Sequence, residues 1–527
     1  MEKTLVKPTE KKATFTPQNV EEMMHRFHYS DDTISIIKEE DLLPTGVLER
    51  LHTSYPQHSG LKEEEEFHFN EKKQYHGLKG FREIVAILEE NGIHIGHLEE
   101  RELFIRIYRF MATKHVLNTI NWSDFEKDSV FQLVFPQPGM VRPDITKAYL
   151  AATSEEEKER IIKDYIKETN PHDGKQMLNK PTFINEEGEV EVVEGSQHKY
   201  PQVQLIFDIQ TQNCFAFCNY CFRHAQVRGD EDMFIQKDIY QIHEYLKQHK
   251  EVTDVLITGG DAGYIKADRF EEYITPIIED PELMHVKSIR LGTRVLTYHP
   301  EMLLTREYDR MLKLFKRLYD NGIQLVYMSH FSTPRELMNP STIAAIRRLK
   351  AHGATIKSQS PIMNHISLFQ HDDGSIDVDR SAQNWIDLGN LLAMLGVGFH
   401  SMYCARPTGE HHYFTQPVAE IDKVFSKVYR SLPSINRPSR YITMTSSAGK
   451  ISLLGTLELN GEKLFAIKFN ESRNMEWMDK VMLAKYDEHE NTIANLKPYG
   501  SDRFFFEDEL DEIERKLHET IETGRKK

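Results

Sequence analysis

Three of the four cysteines in this 527-residue chain fall within eight positions: Cys214, Cys218 and Cys221. Three thiolates at spacings of four and three can hold three irons of a cubane cluster on one short loop. The fourth iron would then stay open to a small chelate. Soft thiolates suit iron–sulfur clusters or zinc. A structural zinc ion wants four ligands, and His224 could be the fourth, so zinc stands as the alternative. A disulfide framework would spread its cysteines along the chain instead. Further along come Thr258-Gly259-Gly260-Asp261, then Arg290-Leu291-Gly292-Thr293-Arg294, Ser329-His330-Phe331, and Gln359-Ser360-Pro361 with Asn364 beyond. Two adjacent glycines let backbone approach a ligand closely, and Asp261 can accept from an ammonium. Alone, each of these groups reads as an ordinary turn or strand end. In series they are polar groups at successive strand ends.

Those ends need a scaffold. Six β-rich runs appear from about residue 200: Val203–Ile209, Asp254–Thr258, Val286–Leu291, Gln324–Ser329, Thr355–Ser360 and Gly396–Tyr403. Helical patterns separate them at Phe234–Gln248, Asp268–Ile278, Arg306–Tyr319, Ser341–Ala351 and Arg380–Met394. Alternation of this kind predicts parallel βα units in the α/β class. Six in a row predict a partial (β/α)6 TIM-like barrel, with the site on the loops that follow the strands. Residues 18–110 read as amphipathic helices, for example Leu61–Phe69 and Gly80–Asn91. Ser154 and Glu157 form a capping-box pattern opening a helix to Glu168. Residues 169–199 read as a linker. Tyr441–Met444, Lys450–Leu454, Leu464–Lys468 and a helix Glu507–Thr523 read as a small appendage. The expected division is 1–199 helical region and linker, 200–430 barrel, and 431–527 C-terminal segment.

Lys plus Arg number 66 against 82 Asp plus Glu, a net charge of -16. That balance argues against a nucleic-acid or anionic-membrane surface. No apolar run approaches the roughly 20 residues of a spanning helix, and the first residues lack the apolar core of a secretory signal. A soluble cytoplasmic chain is expected.

The C-x3-C-x2-C pattern, with an aromatic before the last cysteine and a place after the first barrel strand, resembles the radical S-adenosylmethionine (SAM) enzymes. Cys221-Phe222-Arg223-His224, the GGDA run at 259–262, LGTR at 291–294 and SHF at 329–331 resemble the lysine 2,3-aminomutase family in order and approximate spacing, over roughly residues 110–455. The resemblance implies a 4Fe-4S cluster on Cys214, Cys218 and Cys221, and SAM held near Gly259, Gly260, Asp261, Arg294, His330 and Gln359. It also implies pyridoxal 5′-phosphate (PLP) on Lys450, within Thr445-Ser446-Ser447-Ala448-Gly449-Lys450. Small residues there would let a cofactor ring approach the backbone, and Lys450 could form a Schiff base. Arg223 matches the family arginine for the substrate α-carboxylate, a task that suits a bidentate guanidinium. The implied reaction is the radical transfer of an α-amino group to the β-carbon of a free amino acid. A flavodoxin- or ferredoxin-type reductant and a homo-oligomer are expected with it.

Three departures narrow the substrate and cofactor. Where the lysine enzymes place two aspartates against the distal ammonium, this chain has Arg406 and Thr443. An arginine there repels an ammonium, at a cost of several kcal/mol, and suits a distal carboxylate such as that of glutamate. Upstream of the first strand, Lys199 stands where family arginines reach the PLP phosphate. No cysteine follows Cys404, so the family's C-terminal zinc motif is absent and Cys404 is expected to be a buried small hydrophobe. Two other readings stay open: a radical SAM epimerase or modifying enzyme without PLP, and a non-catalytic iron–sulfur protein.

Overall fold

The computed structural model describes residues 14–61, 68–70, 72–169, 174–229, 234–407 and 409–525. Its main sheet has eleven strands, arranged in chain order. They are β1 (Ser196–Tyr200), β2 (Val203–Phe207), β3 (Asp254–Thr258), β4 (Ser288–Thr293), β5 (Gln324–Ser329), β6 (Thr355–Ile362), β7 (Gly398–Cys404), β8 (Thr443–Thr445), β9 (Gly449–Leu459), β10 (Glu462–Ser472) and β11 (Val481–Lys485). Strands β2 to β8 run parallel to one another. β1 pairs antiparallel with β2, and β9 to β11 continue antiparallel beyond β8. The connecting helices are α1 (Ile239–Gln248), α2 (Ala267–Glu279), α3 (Asp309–Asp320), α4 (Pro340–Ala351), α5 (Val378–Met394) and α6 (Val418–Ser431).

The periodicities explain these elements. β5 is a Leu-Val-Tyr-Met run buried from end to end after Gln324, as expected of a parallel strand covered on both faces. α3 repeats Met311, Leu312, Leu314, Phe315 and Leu318 on one buried stripe. Asn321 and Gly322 stop it, with Gly322 at φ +73°, and Gly353 does the same after α4 at φ +87°. The sheet is rolled: Lys199 Nζ on β1 donates to the Ser446 carbonyl in the β8–β9 turn, and Lys450 Nζ lies 5.0 Å from the Tyr200 ring centroid.

Several expectations shift. Residues 169–199 are more than a linker, since Thr182–Ile184 and Val190–Val192 form a hairpin and β1 is the edge strand of the main sheet. The sheet therefore crosses both expected boundaries, through β1 and through β8 to β11. The first connecting helix begins at Ile239 rather than Phe234, because Gln236 bridges to Asp208 and Asp238 caps the helix from outside. The Ser154 cap is half of a box: its side chain accepts from Glu157 N, while the Glu157 carboxylate turns to Thr153 N. Most of the expected helix 61–69 lies outside the described residues, and its end at 68–70 is not helical. No helix among the described residues is long and apolar enough to cross a membrane.

The N-terminal helices pack Phe81, Phe110, Trp122, Phe131 and Phe135 edge to face into an aromatic core. One buried cation ties this region to the sheet. Arg348 on α4 is 1% exposed, pairs with Glu40 and Asp309, and donates to the Leu303 and Thr305 carbonyls. Arg348→Leu strands two carboxylates and two carbonyls, a loss of about 2–3 kcal/mol. A urea unfolding midpoint lowered accordingly is the expected outcome, and an unchanged midpoint would show that the clamp carries no load.

Candidate functional site

The loop Asn213–Arg223 follows β2 and is held from two sides. Below it, Gly260 N and Asp261 N both donate to Thr211 O, at 2.7 and 3.1 Å. A Cβ on Gly259 would collide with Thr211, and one on Gly260 would lie 2.6 Å from Asn213 O. Gly259 also sits at φ +144°. The two glycines thus admit the chain's own cysteine loop, which is a different use from the expected approach of a ligand. Above it, Phe217 N donates to Met111 O and Asn219 N to Leu133 O, each at 2.9 Å. Asn219 Nδ2 donates to Gln132 O and Phe135 O, and Gln74 Nε2 to Phe215 O. Tyr264 stacks on Phe215, with 4.2 Å between centroids, and its hydroxyl donates to Cys214 O.

Cys214, Cys218 and Cys221 are all free thiols at intermediate exposure. Burial pushes the Cys221 thiol up to about 12 and Cys214 well above its ordinary value, with the facing thiols adding to both. Such a set ionises when a cation joins it. Its spacing separates the two candidate occupants. Around one zinc ion, Zn–S bonds of about 2.3 Å bring sulfurs within about 4 Å of each other. Among the described residues, the three thiols do not all lie within 4.8 Å of one another, and the only trio of His, Cys, Asp or Glu ligand atoms that does lies elsewhere. His224 is buried, donates from Nε2 to Thr169 O (3.1 Å) and packs edge-on against Tyr108. The wider trio fits the separate corners of a cubane. Cys218 Sγ also meets the Tyr298 hydroxyl at 2.8 Å and Arg294 Nη1 at 3.5 Å, the kind of donor that tunes a cluster.

The remaining strand-end residues divide into three groups. Asp261 is a strut: Oδ1 accepts from Gly263 N and the Thr293 hydroxyl, Oδ2 from Arg294 N. Burial pushes its carboxyl up to about 6 despite these donors. Arg294 pairs with Glu336 at 2.8 Å and donates to the Tyr220 hydroxyl, so it faces the cysteine loop with its charge already matched. His330, Gln359 and Tyr403 form a chain across the ends of β5, β6 and β7, with Gln359 Nε2 3.3 Å from His330 Nε2 and the Tyr403 hydroxyl 3.0 Å from Gln359 Oε1. Burial, with Arg294 and Arg223 nearby, pushes His330 down to about 3, so it is neutral.

The third group is cationic. Arg223 Nη1 donates to the Thr258 hydroxyl (2.5 Å) and to Gly259 O (3.3 Å), and its guanidinium covers the Phe207 ring at 4.9 Å. Arg223 and Arg406 both lie over Phe222, at 5.2 and 4.8 Å from its centroid. Burial and the facing Arg406 bring Arg223 down to about 10. Among the described residues Arg406 has no carboxylate or hydrogen-bond partner. Lys199 is lowered by burial and then by Arg406, Arg473 and Lys450. Lys450 pairs with Glu471, its cross-strand neighbour. Glu471 also holds Arg440 at 3.1 Å, and these cations bring its carboxyl down to about 2 against the opposing effect of burial. An amine beside an aromatic ring, ringed by cations, suits a phosphate-bearing aldehyde. Gly449 is again spent inside the protein, because its Cα faces Ser472 and Phe469 too closely for a Cβ.

Thr443 departs from expectation. It has no exposed surface, donates to Tyr441 O and meets Ser452 and Asn470, so it does not reach the cationic group. Cys404 is buried as expected, its thiol pushed up to about 12 by burial.

No family model matches the sequence. A putative L-lysine 2,3-aminomutase of Aquifex aeolicus (strain VF5) is 27% identical over 313 residues, covering 58% of this chain and 77% of that protein. The glutamate 2,3-aminomutase of Clostridioides difficile (strain 630) is 31% identical over 204 residues, 36% of this chain and 45% of that protein. The L-lysine 2,3-aminomutase of Bacillus subtilis (strain 168) is 27% identical over 325 residues, 62% and 61%. The chain is thus similar to lysine and glutamate 2,3-aminomutases, which supports its resemblance to that family of radical SAM enzymes. It spans less than half the length of the glutamate relative. A solved radical SAM methyltransferase from Sphaerobacter thermophilus overlaps with a TM-score of 0.30 at 14% identity, over 50% of this chain and 76% of that one, too loosely to bear on the fold.

Sequence reading missed Glu336, Glu471 and Glu410. The last ends the loop that carries Arg406. It is 1% exposed and accepts from the hydroxyls of Tyr108 (3.0 Å) and Tyr165 (2.9 Å) on the N-terminal helices. Burial pushes its carboxyl up to about 7, only partly offset by the two phenols. A folded-state value above the unfolded one means that stability falls as pH rises from about 4.5 through 7. Glu410→Gln keeps an acceptor and removes that dependence. The variant should match the wild type at pH 4.5 and gain roughly 2–3 kcal/mol on it by pH 8, read as diverging unfolding midpoints. Parallel pH profiles would refute the buried charge. Gly260→Ala, by contrast, should lower iron bound per chain after anaerobic reconstitution by at least half while Gly500→Ala does not, and equal iron in both would dissociate the turn from the cysteine loop.

Proposed function

We propose that this chain is a radical SAM, PLP-dependent amino acid 2,3-aminomutase whose substrate is a dicarboxylic amino acid such as glutamate rather than lysine. The carrying observation is the pair of guanidiniums flanking Phe222, of which Arg406 has no counter-charge among the described residues. The six parallel strands β2 to β7 read as the partial barrel of that chemistry, with the flanking strands as additions.

When bound, the cluster and SAM would supply a 5′-deoxyadenosyl radical and PLP an electron-delocalising ring. The chain's own share is positioning and electrostatics. Arg223 fixes an α-carboxylate beside the Thr258–Gly259 turn. Arg406, whose guanidinium also lies over the Phe222 ring, fixes a distal carboxylate, and an ammonium placed there would meet a like charge. Glu471 holds Lys450 Nζ against the Tyr200 ring, and its carboxylate is the nearest acceptor for the proton that Nζ releases to become a nucleophile. Lys199 adds positive charge where a phosphate would sit. The neutral His330–Gln359–Tyr403 chain offers hydrogen bonds without adding charge to the site. Asp261 keeps a free lone pair on Oδ2 for an ammonium such as that of SAM. A flavodoxin- or ferredoxin-type reductant, a cytoplasmic setting and self-association belong to the same reading.

The test is anaerobic: reconstituted protein with SAM, PLP and dithionite, offered glutamate or lysine. β-Glutamate is the expected product, with kcat/KM lowered about 100-fold in Arg406→Gln, as for loss of one buried charge pair. Lys450→Ala should lose bound PLP absorbance and keep SAM cleavage. Lysine turnover by the wild type would sink the charge argument. SAM cleavage without PLP binding would favour the epimerase-like reading, and a loaded, reduced cluster that never yields 5′-deoxyadenosine would remove both.

A further inference from the structure

We propose that His198, His249 and Glu251 form a divalent transition-metal site, of the zinc class, on the outer face of the sheet. Among the described residues, theirs is the only trio of His, Cys, Asp or Glu side chains whose ligand atoms all lie within 4.8 Å of one another. It stands apart from the cysteine loop and from the cationic group. His198 and Lys199 are neighbours on β1, and successive strand residues face opposite ways. Lys199 turns inward to Ser446, and His198 turns outward to Tyr245 on α1.

The hydrogen bonds set the ligand atoms. His198 Nε2 lies 3.1 Å from the Pro201 carbonyl, which can only accept, so Nε2 carries the proton. Nδ1 then holds a lone pair and accepts from the Tyr245 hydroxyl. A ring fixed by a carbonyl on its far nitrogen is the usual outer-shell support of a metal-bound histidine. His249 follows the last turn of α1, stacks on Tyr245 at 4.1 Å and 22°, and meets Glu251 Oε1 through Nδ1 at 2.8 Å. Lys250, between the two, turns its ammonium to the Glu282 carbonyl and so does not compete for the carboxylate. Two imidazoles and a carboxylate suit a borderline ion such as Zn2+ and not Mg2+, with the Tyr245 oxygen or water completing four ligands. Bound there, the ion would pin the end of α1 to the β1–β2 hairpin and stiffen the strand that carries Lys199.

The test uses full-length protein with its cluster reconstituted, washed with chelator, so that the cysteines are occupied. Titration with Zn2+ should show one further equivalent, and Mg2+ none. His249 is half-buried and Glu251 exposed, so His249→Ala and Glu251→Gln should fold, and each should weaken Zn2+ at least ~10-fold. His489→Ala, on an exposed loop, should leave it unchanged. Absence of a further Zn2+ equivalent, or wild-type affinity in either site variant, would overturn the proposal.

Discussion

The Thr211 carbonyl, taking two amide protons from the Gly260–Asp261 turn, is the contact on which the site depends. It seats the entrance of the cysteine loop on the end of β3. Neither glycine can gain a side chain without lifting that entrance. The loop's apolar residues Phe215 and Phe217 pack against Tyr264, His299 and the N-terminal helices. Backbone amides from 217 and 219 close the other side. These contacts fix the backbone that carries the three thiols.

The cationic group poses the opposite problem. Arg223, Arg406, Lys199 and Lys450 crowd one region, and Glu471 is already committed to Lys450 and Arg440. Burying cations is costly, and burial lowers both Arg223 and Lys199 although each donates hydrogen bonds. The protein tolerates it by laying each guanidinium on an aromatic face, Phe207 or Phe222, which compensates in part. Anions from outside would complete that compensation, as the carboxylates of the proposed substrate and the phosphate of PLP would.

The periodicity of residues 203–404 makes six parallel strands and their helices legible, usually within two or three residues, because long amphipathic stripes and glycine stops act locally. The cysteine triad and Arg223 are legible because their chemistry resides in their own spacing. Other features depend on partners far along the chain. Gly259 and Gly260 look like a ligand turn in sequence, yet their neighbour is Thr211, some fifty residues earlier. Thr443 looks like a substrate position by alignment, yet its hydroxyl is enclosed by Ser452 and Asn470 from strands that follow it. The residues 169–199 are rich in turn formers, and nothing local reveals that β1 will find β2 as a partner. Glu471 announces itself only once the β9–β10 register sets it opposite Lys450.

The N-terminal region, opaque in sequence, touches both halves of the chemistry. Met111, Leu133 and Gln74 hold the cysteine loop. Tyr108 and Tyr165 hold Glu410, four residues beyond Arg406. One body thus fixes where a radical would arise and where a distal carboxylate would be held. A rigid helical brace suits a reaction that must bring hydrogen donor and acceptor within van der Waals reach, since small misplacements at such a distance cost large factors in rate. Glu410 adds a charge-linked element to that brace. Its carboxyl holds a proton near neutrality, and losing it leaves a buried anion between two phenols. The Arg406 loop is therefore held most firmly when Glu410 is protonated, and substrate affinity through Arg406 should carry that dependence while the cysteine loop does not.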